Sequence, residues 1–210
     1  VGSEMCIRDR LKIQYRMHED IMRFPSRWFY HDELEAAPEV KYRGILDFDT
    51  PVSWIDTSEL DLQEKAVAEG TGRLNTGEAE LLVRELKNYM ERIGIRRILE
   101  EHIDFGVISP YRAQVHYLRH LLKKEPFFRP CRRLITVHTV DGFQGQERDV
   151  IMISLVRANE KGQIGFLRDL RRMNVAITRA RMKLLILGEA VTLTRHPFYR
   201  ELYEYIGGLR

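Results

Sequence analysis

Four short runs of this chain are apolar without alternation: FGVIS at 105–109, ITVHTV at 135–140, VIMISLV at 150–156 and KLLILG at 183–188. A strand wetted on one side alternates apolar and polar residues, whereas a strand with successive apolar side chains is covered on both faces. Segments with helical spacing lie between these runs at 113–122 and 166–181, and another follows at 197–206. Such alternation predicts an α/β fold, a parallel sheet with helices packed on both sides. Ligands of these sheets sit beyond the carboxyl ends of the strands, which directs attention to the residues after Ser109, Val140, Val156 and Gly188.

The first half of the chain is less regular. Residues 18–30 read as a short helix with an apolar face at Ile21, Met22 and Phe24, interrupted at Pro25. Residues 45–56 suggest one or two strands around Pro51, and 57–74 a long polar surface loop. A helix is expected over 75–90, opened by Asn75 with Glu78 as a capping pair. Residues 1–10, VGSEMCIRDR, show no periodicity and are expected to be a fragment edge rather than a native start.

At 210 residues the chain fits one domain, since a single core keeps growing to roughly 250–300 residues. The longest apolar run, Val150–Val156, falls far short of the ~20 residues of a spanning helix. No membrane or secretory role is expected, and the expected setting is cytoplasmic or nuclear. Cys6 and Cys131 form no CxxC pair and the histidines no HExxH, so no metal is assigned. Net charge is +3, but residues 107–188 carry 16 basic and 6 acidic side chains. That imbalance suits a phosphate-bearing partner, although a solvated basic face would also account for it. The carboxylates of the first half are scattered through loops, which argues against a metal-dependent nuclease.

Four segments carry reactive or ligand-binding residue types. SPYRAQ at 109–114 sets Ser109, Pro110 and Tyr111 at a helix start, where free N–H groups and a ring suit a nucleic-acid backbone and base. Proline at that place is, on its own, an ordinary helix-start signal. DGFQGQERD at 141–149 is too polar for a mere link between buried strands: Gly142 and Gly145 permit close backbone approach, and Gln144 and Glu147 can hydrogen-bond a sugar. The 166–181 segment, read as one helix, carries Arg168, Arg171 and Arg172 and then Arg179 and Arg181, rigid forks that fit phosphate. In QYRMHEDI at 14–21, Tyr15 beside Arg16 can stack on a purine while the arginine reaches its phosphates, although a core tyrosine is the plainer reading.

Taken in order, QYRMH at 14–18, ISPYRAQ at 108–114, TVDGFQGQERDVI at 139–151 and RRMNVAITRAR at 171–181 resemble the superfamily 1 helicases of the up-frameshift, immunoglobulin mu-binding helicase and senataxin type. The resemblance covers about residues 11–188 and implies the second RecA-like domain of a P-loop NTPase motor, expected to occupy 11–207. It implies that Tyr15 stacks on adenine and that Arg16 and Arg179 reach the γ-phosphate as arginine fingers. Glu147 would bind the ribose, Gln144 and Gly145 would lie near the nucleotide, and Ser109, Pro110, Tyr111 and Thr139 would follow single-stranded DNA or RNA. Glu19 stands where the family usually has proline. No GxxxxGK[ST] occurs, so the cradle for ATP and Mg²⁺ is expected in an upstream RecA-like domain, without which this chain would not hydrolyse ATP. The alternative is a nucleic-acid-binding module of the same fold that has lost coupling to ATP.

Overall fold

The computed structural model describes residues 12–67, 72–143 and 145–209. Residues 1–10 lie outside the described residues. Short elements open the chain: β1 (Ile13–Gln14), α1 (Glu19–Phe29), β2 (Glu35–Ala36) and α2 (Pro38–Lys41). β3 (Val52–Asp56), β4 (Lys65–Ala66), β5 (Arg73–Leu74), α3 (Thr76–Ile93) and α4 (Ile95–Glu100) follow. The second half runs β6 (Phe105–Ser109), α5 (Arg112–Lys124), β7 (Ile135–Thr139), β8 (Arg148–Ser154), α6 (Leu170–Ile177), β9 (Ala180–Gly188), α7 (Ala190–Leu193) and α8 (Pro197–Gly207).

Five strands form one wholly parallel sheet in the order β3-β9-β8-β6-β7. This is the RecA-like α/β architecture, and the apolar runs explain it. On β8, Ile151 and Ile153 enter one core with Ile21, Phe24 and Phe198, whereas Val150 and Met152 enter another with Leu82, Leu86 and Leu118. Successive side chains of a strand point to opposite faces. A strand buried on both faces must therefore be apolar at every position, and α1, α6 and α8 cover one side while α3 and α5 cover the other. Burying one Leu- or Phe-sized side chain contributes roughly 1.5–3 kcal/mol.

Several local expectations are corrected. α1 continues through Pro25, which is buried in the helix; proline removes one internal hydrogen bond, and burial of Ile21, Met22 and Phe24 holds the turn together. One strand, not two, forms near Pro51, and it begins just after it. The expected loop at 57–74 contains the antiparallel β4–β5 pair. The basic segment at 166–181 is not one helix. It divides into a 3₁₀ turn at Gly165–Arg168, α6, and the start of β9, so Arg181 lies on a strand. Thr178 ends α6 by turning its hydroxyl back to the Asn174 carbonyl at 2.8 Å.

The capping pair of α3 is half realised. Asn75 Oδ1 accepts from the Glu78 N–H at 3.0 Å. Glu78 does not reach back. Its Oε1 accepts instead from the Ser154 hydroxyl and from the Val156 N–H at 2.8 Å, at the end of β8. Gln114 takes the reciprocal place: its Oε1 accepts from the Asn75 N–H at 2.9 Å, and its amide donates to Asn75 O and Ser154 Oγ, both at 3.0 Å. This buried network ties α3, α5 and β8 together and holds Val156 at a φ of 71°, a conformation unfavourable for a β-branched residue.

Candidate functional site

A dense cluster of charge gathers at the amino ends of β8 and β9. It begins with a turn that Gln14 builds from its own side chain. Gln14 Oε1 accepts from the N–H groups of Arg16 at 2.9 Å and Met17 at 2.7 Å, and its amide donates to Met17 O at 2.8 Å. The His18 N–H bonds Arg181 O at 2.8 Å, which pins the turn to β9. Held in this way, Tyr15 projects into solvent with 66% of its surface exposed, and Arg16 is directed at Glu147. Tyr15 is therefore not a core residue.

Arg16 Nε lies 2.6 Å from Glu147 Oε2, and its Nη1 donates to Thr178 O at 3.3 Å. Arg179 donates from Nε to Val175 O at 3.1 Å and from Nη1 to Gln146 O at 3.3 Å. Both guanidinium groups thus rest on carbonyls at the carboxyl end of α6, the end that carries partial negative charge. Arg181 completes the group, with Nη2 3.4 Å from Glu147 Oε1 and Nη1 3.2 Å from Asp149 Oδ1. Arg179 makes no carboxylate pair among the described residues. Burial and then the nearby charge of Arg16 hold its pKa below the ordinary arginine value, with Glu147 opposing. Arg16 and Arg181 share Glu147 and Asp149, and the unpaired Arg179 beside them leaves an excess of positive charge.

The carboxyl-end rule would have placed this cluster elsewhere. Glu147 and Arg179 precede their strands rather than follow them. The segment between β7 and β8 makes this possible. It holds a single 3₁₀ turn at Asp141–Phe143, and Phe143 packs over Gly106; a Cβ there would lie 2.5 Å from Ile151 Cδ1 and 2.9 Å from Phe143 Cε1. Gly145 takes a φ of 76° with no atom near its missing Cβ, so turn geometry accounts for it. Gly142 owes its place to His138, whose ring fills the space a side chain would need. Gln144 lies outside the described residues.

The carboxyl edge of the sheet holds the second set. Ser109 and Tyr111 are buried, Pro110 and Thr139 half-buried. Arg157 donates to the Tyr111 hydroxyl at 3.3 Å, so this ring is fixed from within. Pro110 and Thr139 are the parts of this set that meet solvent. Gln114, in the same SPYRAQ segment, is the buried hub described above. Residue-type reasoning gave no role to Gln14 or to Arg43, whose Nη2 donates to Arg16 O at 3.0 Å. A glutamine two residues before a site arginine was the one available signal, and it needs the turn geometry to be read. Among the described residues no group of His, Cys, Asp and Glu could hold a metal ion, and no helix is long and apolar enough to cross a membrane.

Comparison with known proteins shows the family of the chain. The family model described as "AAA domain" matches residues 3–191. The probable helicase MAGATAMA 3 of Arabidopsis thaliana is 38% identical over 199 residues, covering 92% of this chain and 24% of that protein. Helicase sen1 of Schizosaccharomyces pombe is 37% identical, covering 97% of this chain and 12% of its own length. The regulator of nonsense transcripts 1 homolog of Neurospora crassa is 36% identical, covering 92% and 18%. The chain thus spans a quarter or less of the length of these relatives. On this evidence it belongs to the AAA domain family, within the up-frameshift and senataxin-like branch of the superfamily 1 helicases.

Proposed function

We propose that this chain is the second motor domain of an ATP-dependent helicase, nuclear or cytoplasmic, working against an upstream RecA-like domain that holds ATP and Mg²⁺. The observation that carries this reading is the convergence of Arg16 and Arg179 on the carboxyl end of α6 beside Glu147. Two rigid guanidinium groups, of which only Arg16 has a carboxylate partner among the described residues, form an incomplete site, and a polyphosphate supplies the missing negative charge. Tyr15 offers an exposed ring for the adenine, and Glu147 an acceptor for ribose hydroxyls. Arg16 and Arg179 then face the γ-phosphate. Because those contacts differ between ATP and ADP, the cycle biases the two domains between closed and open arrangements. Single-stranded nucleic acid follows the opposite edge, along Pro110 and Thr139, with Ser109 and Tyr111 buried beneath them.

In the full-length protein, Arg179→Ala is expected to lower strand-stimulated ATP hydrolysis by about 10³-fold, the lower end for an arginine finger. Affinity for a single-stranded oligonucleotide should stay within about twofold, since Arg179 lies away from the strand edge. Equal loss of hydrolysis and strand binding would overturn the assignment.

A further inference from the structure

Where β6 and β8 end, a cavity of about 370 Å³ opens between Tyr111, Arg157, the Gly165–Arg168 turn and Arg73 on β5. It lies at the carboxyl edge of the sheet, on the opposite edge from Arg16 and Arg179. Three arginines line it. Glu64 is engaged with two of them, 2.8 Å from Arg157 Nε and 3.4 Å from Arg73 Nε. Arg168 is exposed and makes no ion pair among the described residues. The cavity is therefore net cationic, with its freest cation at the mouth.

Its aromatic wall is built rather than incidental. Phe166 keeps 44% of its surface exposed, although a phenyl ring gains by burial. It leans on Tyr111 at 5.5 Å between ring centres, and Arg157 fixes Tyr111 from behind. Gly165, at a φ of 53°, lets the backbone come close: a Cβ there would stand 2.3 Å from Arg157 Nη1 and 2.9 Å from the Tyr111 hydroxyl. The strained Val156, held by Asn75 and Glu78, delivers Arg157 to this wall.

We propose that this cavity seats one nucleotide unit of a single strand, with the base stacked on Phe166 and the adjoining phosphate between Arg168 and Arg73. The proposal rests on the nucleic-acid reading above and sharpens it, moving the stacking platform from the buried Tyr111 to the exposed Phe166. Stacking on one exposed ring and neutralising one phosphate are separable contributions, and they leave different signatures.

The test uses the full-length protein and a fluorescein-labelled oligothymidylate or oligouridylate of about 15 nucleotides, read by anisotropy across a salt series. Phe166→Ala should weaken binding by about tenfold with the salt slope unchanged, and Phe166→Trp should restore it. Arg168→Ala should lower the slope of log affinity against log salt by about 0.7, the value for one phosphate on a single strand. Both residues are exposed, so thermal midpoints should match the parent and exclude misfolding as the cause. If the parent binds while both alanine variants stay within about twofold of it at unchanged slope, the seat is overturned and the wider reading survives. If the parent binds neither oligonucleotide, both readings fall.

Discussion

Arg16 and Arg181 hold opposite oxygens of the Glu147 carboxylate, with Arg16 Nε 2.6 Å from Oε2 and Arg181 Nη2 3.4 Å from Oε1. One arginine comes from the turn after β1 and the other from β9, more than 160 residues later in the chain. The carboxylate is the point at which the two ends of the site meet. Its partners occupy both oxygens, so a ribose or phosphate that enters must compete with them.

That competition makes Glu147→Gln informative. The amide keeps the shape and one acceptor but loses the charge that orders Arg16. In the full-length protein the KM for ATP should rise about tenfold, in line with loss of a hydrogen bond to a charged group. The turnover number should fall less than in Arg179→Ala. Steady-state hydrolysis at saturating single strand separates the two quantities, and an unchanged KM would reduce Glu147 to a structural partner of Arg181.

Gly106→Ala tests how the fold delivers Glu147. A methyl group at this position meets Ile151 at 2.5 Å and the Phe143 ring at 2.9 Å, both buried. Overpacking of this kind costs about 1–3 kcal/mol. Urea unfolding should show that loss. Displacement of Phe143 should also raise the KM for ATP, although Gly106 touches no proposed ligand. A loss of stability with an unaltered KM would mean that the crossing segment can shift without moving Glu147.

Glu78 predicts a pH dependence of stability. Its carboxyl group is buried, and desolvation raises its pKa from 4.5 to about 7, against the lowering effects of Ser154 and Val156. Between those values the folded chain holds a proton that the unfolded chain has released. Stability contributed by this group is therefore present at about pH 4.5 and declines towards pH 7, by on the order of 3 kcal/mol over the full interval. Glu78→Gln removes the titration and leaves the acceptor for Val156. The variant should gain on the parent as pH rises from 5 to 8, measured by thermal midpoints in buffers matched for ionic strength. Parallel curves for the two proteins would place the ionisation elsewhere.

The parallel sheet was legible in the chain because burial on both faces forces apolar residues at every strand position, and that pattern survives in linear text. The helices at 75–90, 113–122 and 197–206 were legible for the same reason, since their spacing follows which face is buried. The motifs also carried the family resemblance, and with it the naming of Tyr15, Arg16, Glu147 and Arg179 as site candidates. Boundaries where tertiary contacts outweigh local preference were not legible. Pro25 sits inside a helix because the core holds it there, and Arg181 lies on a strand because β9 begins once Thr178 has ended α6.

The side-chain partners were the other part that only the fold decided. Glu78 looks like the second half of a helix cap, yet it bonds the end of β8 because the three-dimensional packing brings Val156 nearer than its own helix start. Tyr111 looks like an exposed platform, yet Arg157 and Phe166 enclose it. Gln14 looks neutral in the text and organises the turn that presents Tyr15 and Arg16. Residue types and spacing determined which chemistry this chain could assemble. Which hydrogen-bond donor meets which acceptor depends on positions far apart in sequence, and those distances are set only when the sheet and its covering helices close around a common core.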